Sequence, residues 1–192
     1  MEKLKSKILK EAYIIDNRII KVDHFINHML DTKLVFEIGK EFANEFSGIN
    51  KILTIEASGI AFSVATAFHL DNVPIVFARK SASLITTENV YKSKVFSFTK
   101  QIESTIIVDK EFLNPGDNVL IIDDFLATGN ALNGLIDIAN QANAKVKGVG
   151  IVIEKGYQGG RKRIEDMGIK VHSLANIKRI EDGKVVFEEN ND

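Results

Sequence analysis

From Lys51 onward the chain alternates apolar runs, turn signals and helical stripes: "KILTIE", then "ASG", then "IAFSVATAFHL", then "VPIVFAR". A β-branched run, a helix-period stripe and a second run make a βαβ unit, whose two strands lie parallel and whose crossover helix covers a sheet face. The order repeats with "NVLIID", a helix from about Gly129 to Asn143, and "VKGVGIVIE". Leu132, Leu135, Ile136 and Ala139 fall on one face of that helix. Two such units predict an α/β fold with a central, mostly parallel sheet flanked by helices. With 192 residues, 45% of them hydrophobic, and no repeat or linker, 1–192 reads as a single domain.

The flanks are less regular. Glu2 to Glu11 carries Leu4, Ile8 and Leu9 at helical spacing, and "YIIDNRIIKVDHFINHML" reads as a small irregular or strand-containing element. "DTKLVFEIGKEFANEF" predicts a helix capped by Asp31, with Leu34, Val35, Ile38, Phe42 and Phe46 as its stripe. Phe36, Phe42, Phe46 and Phe62 are all assigned to the core. The polar stretch Ser81 to Lys94 reads as a functional loop, followed by a hairpin of "KVFSFT" and "STIIVD". A short helix around Arg161 to Met167, a strand "IKVHSLA" and a turn at "EDGK" close the chain.

Composition removes several function classes. A net charge of -1 argues against a nucleic-acid binder, and the lack of cysteine removes thiolate chemistry and disulfides. No run approaches the roughly 18 apolar residues of a membrane span, and the N-terminus has no signal-peptide core, so a cytoplasmic protein is expected. His24, His28, His69 and His172 lack metal-ligand spacing and read as structural or surface residues, so no protein-built metal site is expected.

The chemistry concentrates in "VLIIDDFLATGNA", Val119 to Ala131. Ligands of open α/β sheets gather at the carboxyl ends of strands. There a helix starting near Gly129 offers unpaired N–H groups and a positive dipole end to a phosphate. Asp123 and Asp124 suit vicinal sugar hydroxyls instead, since carboxylates accept hydrogen bonds. Together they could grip a ribose phosphate. The stretch has neither the Walker A nor the dinucleotide pattern. It resembles the donor-binding motif of the type I phosphoribosyltransferases, which use 5-phosphoribosyl 1-diphosphate (PRPP). That resemblance implies PRPP contacts at Ala127, Thr128, Gly129, Asn130 and Ala131, and ribose contacts at Asp123 and Asp124.

"EASG", Glu56 to Gly59, ends a strand and opens a helix, a second anion device that on its own reads as a cap. By resemblance Ala57 and Ser58 bind the diphosphate, and so do Arg79 and Lys80, which otherwise read as solvated charges at a strand exit. The Ser81 to Lys94 stretch resembles the family's closing loop. "KVDHFINHMLD", "ARKSASL", "VFSFTKQIES" and "GIVIEKGYQGGR" narrow the resemblance to the bacterial purine branch that uses xanthine. There, elements within about 12–30 and the C-terminal region form a hood over the base, with contacts at Ile20, Asn27 and Lys155. Without the resemblance Lys155 is a strand-end lysine, Asn27 a turn or cap residue, and Tyr157 either stacks on the base or packs. The resemblance implies transfer of phosphoribose from PRPP to xanthine, Mg2+ accompanying PRPP, and a homodimer. A guanine or hypoxanthine enzyme and a PRPP-sensing regulator remain the alternatives.

Overall fold

The computed structural model describes residues 1–80, 89–97 and 102–188. The N-terminal part comprises α1 (Glu2–Glu11), a two-stranded antiparallel ribbon of β1 (Tyr13–Ile15) and β2 (Ile19–Lys21), a π-helical turn (Asp23–Asn27), and α2 (Thr32–Glu45). Asp31 caps α2 as predicted, its side chain accepting from the Leu34 N–H at 3.1 Å.

The body follows as β3 (Lys51–Ile55), α3 (Ile60–Phe68), β4 (Ile75–Lys80), β5 (Val90–Ser97), β6 (Ile102–Asp109), β7 (Asn118–Leu126), α4 (Asn130–Gln141), β8 (Lys145–Lys155), α5 (Gly160–Glu165), β9 (Val171–Glu181) and β10 (Lys184–Phe187). One eight-stranded sheet runs in the order β10-β9-β8-β7-β3-β4-β6-β5. The five strands from β9 to β4 are parallel, and antiparallel hairpins extend both edges. Both βαβ units are therefore present. No helix among the described residues is long and apolar enough to cross a membrane.

Strand alternation sends successive residues into two cores. Ile52, Leu120 and Ile122 face the layer containing Phe25, Phe42 and Phe62, while Leu53, Val119 and Ile121 face Leu132, Leu135 and Ile138 of α4. Two expectations change. β5 starts at Val90, inside the stretch assigned to a loop, because Tyr91, Ser93 and Val95 face inward while Lys92, Lys94 and Phe96 form a polar-looking outer face that hid the strand. Residues 81–88 of that stretch lie outside the described residues. Phe36 is no core residue: it is 47% exposed and meets the exposed Phe68 edge to face, with ring centroids 5.8 Å apart.

Phe42 is fully buried and lies against β8, where a Cβ added to Gly150 would stand 3.0 Å from its ring. Phe42→Ala is expected to cost about 3–5 kcal/mol in urea unfolding. Phe36→Ala, one or two turns away on the same helix, should cost less than about 1 kcal/mol. Equal losses would contradict this orientation of α2.

Candidate active site

β3 is followed to one side by β4, whereas β7 lies on the other side of β3 and is followed away by β8 and β9. The strand order therefore reverses between the parallel neighbours β3 and β7, and a crevice opens beyond their carboxyl ends. Two loops border it, Glu56–Gly59 after β3 and Ala127–Gly129 after β7. Their roots are joined inside the sheet by the Thr54 hydroxyl, which donates to the Ile122 carbonyl at 2.7 Å. At the rim, the Ser58 hydroxyl donates to Asp124 Oδ1 at 3.0 Å. Two residues singled out from separate motifs thus touch across the crevice. Ala57 sits between them and Glu56, in a cis peptide with the latter.

Glu56 is a positioning residue that the sequence reading passed over. Its Oε1 accepts the Lys80 N–H at 2.7 Å and its Oε2 lies 3.8 Å from Arg79 Nε. The end of β4 is thereby tied to the Ser58 loop, and both predicted cations belong to the crevice rim. As neighbours on one strand, Arg79 and Lys80 project to opposite faces. The lone signal for Glu56 was a carboxylate ending a buried strand.

The acid pair departs from expectation. β7 does not stop before it, because pairing with β8 continues through Asp123 opposite Ile151, Phe125 opposite Ile153 and Leu126 opposite Glu154. Asp123 is a strand residue, 4% exposed, whose Oδ1 accepts the Asp124 N–H at 2.9 Å. Asp124 is half-buried and also accepts the Phe125 N–H at 2.9 Å. Burial holds the Asp123 carboxyl well above the usual carboxylate range, with the Asp124 charge adding to the rise and the Lys80 ammonium opposing it.

Beyond β7 the chain turns at Gly129, whose φ of 82° is left-handed and favours glycine. α4 then begins with Asn130 and Ala131, and the N–H groups of its first turn have no acceptor within the helix. The Asn130 side chain points sideways: Nδ2 donates to the Phe96 carbonyl at 3.3 Å, while Oδ1 accepts from Arg163 at 2.9 Å. The Asn130 side chain is thus engaged away from the free N–H groups of the first turn, a helix N-terminus of the kind that suits an anion.

On the opposite side, Lys155 ends β8 with its ammonium 5.7 Å from the Phe125 ring centroid and 3.5 Å from the Arg18 carbonyl, in the β1–β2 turn. Burial lowers its pKa. The same turn is held to the β9–β10 turn by the Asn17 side chain, which accepts the Gly183 N–H at 3.1 Å. Lys155, Phe125 and the N-terminal ribbon are thus brought together. Ile20 is buried in the core of that ribbon, and Asn27 is exposed at the end of the π-helical turn. No hydrogen bond among the described residues joins the Asn27 side chain to Lys155. Phe125 went unnoticed because it stood inside the acid motif, where its half-buried ring faces the ribbon core. Tyr157 lines a surface hollow with Lys162 and Lys178. His24, His28 and His69 are exposed, and the half-buried His172 packs edge-on to Phe42 and Phe46.

The native state holds the Asp123 proton more tightly than the unfolded chain does. Raising the pH from about 4 through the elevated native value therefore costs stability, since the buried group must charge. Asp123→Asn removes that cost. It is expected to raise the melting temperature at pH 7.5 by about 2–8 °C, corresponding to roughly 1–2 kcal/mol in a chain of this size. The gain should shrink as the pH approaches 4. A variant destabilised at pH 7.5 would show that the native carboxylate is compensated.

Residues 26–185 match the family model described as "Phosphoribosyl transferase domain". Xanthine phosphoribosyltransferase of Clostridium tetani (strain Massachusetts / E88) is 58% identical over 98% of this chain and 100% of its own length. The protein of that name from Oceanobacillus iheyensis is 50% identical over 98% of both chains. Among solved structures, adenine phosphoribosyltransferase from Thermoanaerobacter pseudethanolicus superposes with a TM-score of 0.72 at 20% identity, covering 90% of this chain and 99% of that one. Adenine phosphoribosyltransferase from Trypanosoma brucei, in complex with AMP, pyrophosphate and ribose-5-phosphate, gives 0.77 at 17% identity over 94% and 82%. The mostly parallel sheet has its counterpart in these solved structures, and the chain belongs to the phosphoribosyltransferase family, with its type I fold.

Proposed function

We propose that the protein transfers the 5-phosphoribosyl group from PRPP to xanthine, forming xanthosine 5'-monophosphate and diphosphate in purine salvage. The observation that carries this reading is the Ser58–Asp124 hydrogen bond, which sets two anion-receptive loops face to face over an acid pair. A donor with phosphate at one end and diphosphate at the other, separated by a ribose, has that distribution of charge. The names of the relatives identify the acceptor.

Loss of diphosphate builds positive charge on the ribose, so the site must orient the donor, neutralise the leaving group and exclude water. Thr128, Gly129 and Ala131, with Ala127 and Asn130, offer backbone N–H groups to the 5'-phosphate. Ala57 and Ser58 receive the diphosphate, with Arg79 and Lys80 supplying charge from the adjoining rim. Asp124 accepts from the ribose hydroxyls in place of Ser58, and the charge of Asp123 and Asp124 stabilises the developing cation. Among the described residues no cluster of three or more His, Cys, Asp or Glu could hold a metal. The acid pair does fit a hydrated Mg2+ that arrives with PRPP and keeps oxygen ligands from substrate and water. Mg2+ there would neutralise the leaving diphosphate.

Xanthine lies on Phe125 under the β1–β2 ribbon, which serves as the hood, with Asn27 and Lys155 at its carbonyl edge and Ile20 backing the wall. A lysine whose charge is disfavoured by burial gains most from an acceptor-rich, acidic base. The phosphorylated donor, too charged to cross a bilayer, supports a cytoplasmic reaction. A homodimer fits the sheet face of β4 and β6, where a hollow of about 660 Å³ is lined by Ile75, Phe77, Ile107 and Phe112. Phe77 and Phe112 are 44% and 54% exposed there, and Arg79 shares the face, so a second copy would sit beside the diphosphate site.

Assays with PRPP and each of xanthine, guanine, hypoxanthine and adenine should rank xanthine first; preference for adenine would overturn the assignment of the base. Lys155→Ala is expected to lower kcat/KM for xanthine about tenfold or more, the cost of one charge-assisted hydrogen bond, with smaller losses for the other bases. Uniform losses would make Lys155 structural. Asp124→Asn should raise KM for PRPP by about tenfold while the melting temperature stays level or rises, since a charge beside Asp123 is removed, and unaltered kinetics would remove it from the site.

A further inference from the structure

α5 takes no part in the chemistry described above, yet it is built against the loop assigned to the 5'-phosphate. The N–H of Gly160 donates to the Ala127 carbonyl at 3.1 Å. A Cβ on Gly160 would come within 2.3 Å of that oxygen and 3.0 Å of the Gly129 nitrogen, so the helix start is pressed directly on the loop.

The next residue anchors the helix. Arg161 Nη2 donates to Glu154 Oε2 at 2.6 Å and its Nε to Oε1 at 3.1 Å, while Nη1 donates to the Val171 carbonyl at 2.8 Å and to Glu165 at 3.0 Å. Glu154 is 1% exposed and also accepts from Ser173. An ion pair satisfied by this many bonds fixes the geometry of the elements it joins. Here it holds α5 to the ends of β8 and β9.

Two positions further on, Arg163 reaches the other way, across to α4. It donates from Nη1 to Asn130 Oδ1 at 2.9 Å. With its amide oxygen turned to the guanidinium, Asn133 accepts from Nε at 2.6 Å and from Nη2 at 2.8 Å. Arg163 therefore brackets the first turn of α4, whose N–H groups form the cradle. It occupies the Asn130 carbonyl, which would otherwise compete for those donors, and leaves a positive charge next to the place of an anion.

We propose that Arg163 is a positioning residue for the donor's 5'-phosphate, clamping Asn130 and Asn133 so that the first turn of α4 meets the phosphate preformed. This rests on the reading of Ala127 to Ala131 as the 5'-phosphate loop. The guanidinium is exposed, so its removal spares the fold.

The test compares inhibition by ribose 5-phosphate, which carries one end of the donor, with inhibition by diphosphate, which carries the other. Arg163→Gln is expected to raise the inhibition constant of ribose 5-phosphate and the KM for PRPP about tenfold, the cost of a lost charge-assisted pair. The diphosphate constant and the KM for xanthine should stay within about twofold, and the loss should fall on KM rather than kcat. Arg163→Lys, which keeps the charge and loses the fork, should recover part of the effect. Equal weakening of both inhibitors, or of neither, would overturn the proposal. Gly129→Ala separates the two levels: if it weakens ribose 5-phosphate while Arg163→Gln does not, the loop reading stands and the clamp is wrong. If Gly129→Ala leaves ribose 5-phosphate binding unchanged, the loop reading falls and the clamp with it.

Discussion

The parallel pairing of β3 with β7, Lys51 opposite Val119 through Leu53 opposite Ile121, is the constraint on which the rest of the site depends. These strands are more than sixty positions apart in the chain, and their register alone decides which residues leave the sheet side by side. A one-residue slip would exchange the two faces of a strand. A slip of β3 would take Leu53 out of the α4 core, and Ser58 would no longer meet Asp124. The Thr54 hydroxyl, fully buried and bonded to the Ile122 carbonyl, closes the pairing just beneath the crevice. A buried polar group is tolerated only when bonded, so this contact disfavours other registers as well as supporting the native one.

Electrostatics at the end of β7 oppose the fold and serve the site. Extending the strand through Asp123 buries a carboxyl next to a second one, which raises its proton affinity. The rise is offset first by the Asp124 N–H donated to Asp123 and then by the Lys80 charge, at a strand end that Glu56 holds. Cations, hydroxyls or a hydrated metal entering with the donor would relieve the same repulsion. On the proposed reading, stability given up in the free protein would be regained on binding, the exchange expected of a preorganised charged site.

The sheet was legible because β-branched runs and helix stripes alternate without ambiguity from Lys51 onward, and the Asp31 cap and the Phe42 stripe were equally plain. Phe36 was misplaced because a helix with apolar residues on more than one face gives no single answer from spacing: the same period that buries Phe42 leaves Phe36 outside with Phe68. β5 was read partly as loop because lysines on its outer face interrupt the apolar signal. At the site, the motifs marked the strand ends that the structure brings together at Ser58 and Asp124, but not the contacts that tie those ends to the rest of the fold. Glu56, Phe125 and Arg163 have roles set by neighbours 24 to 33 positions away or more, which local patterns do not encode.

The shared fold bears on donor and acceptor differently. Structures named for adenine superpose on this chain at 16–25% identity, so the sheet and its two loops do not by themselves choose a base. The choice falls to the few groups that face the base edge, and in the proposed site the charged one, Lys155, carries only donors. Opposite a ring carbonyl or a deprotonated nitrogen, its ammonium is satisfied and its burial offset. Opposite the exocyclic amine of adenine, donor would face donor in a half-buried pocket, and neither group could turn to water. An unmet buried donor costs about 1–3 kcal/mol, more when charged, enough to reverse a preference between bases without altering a strand of the sheet.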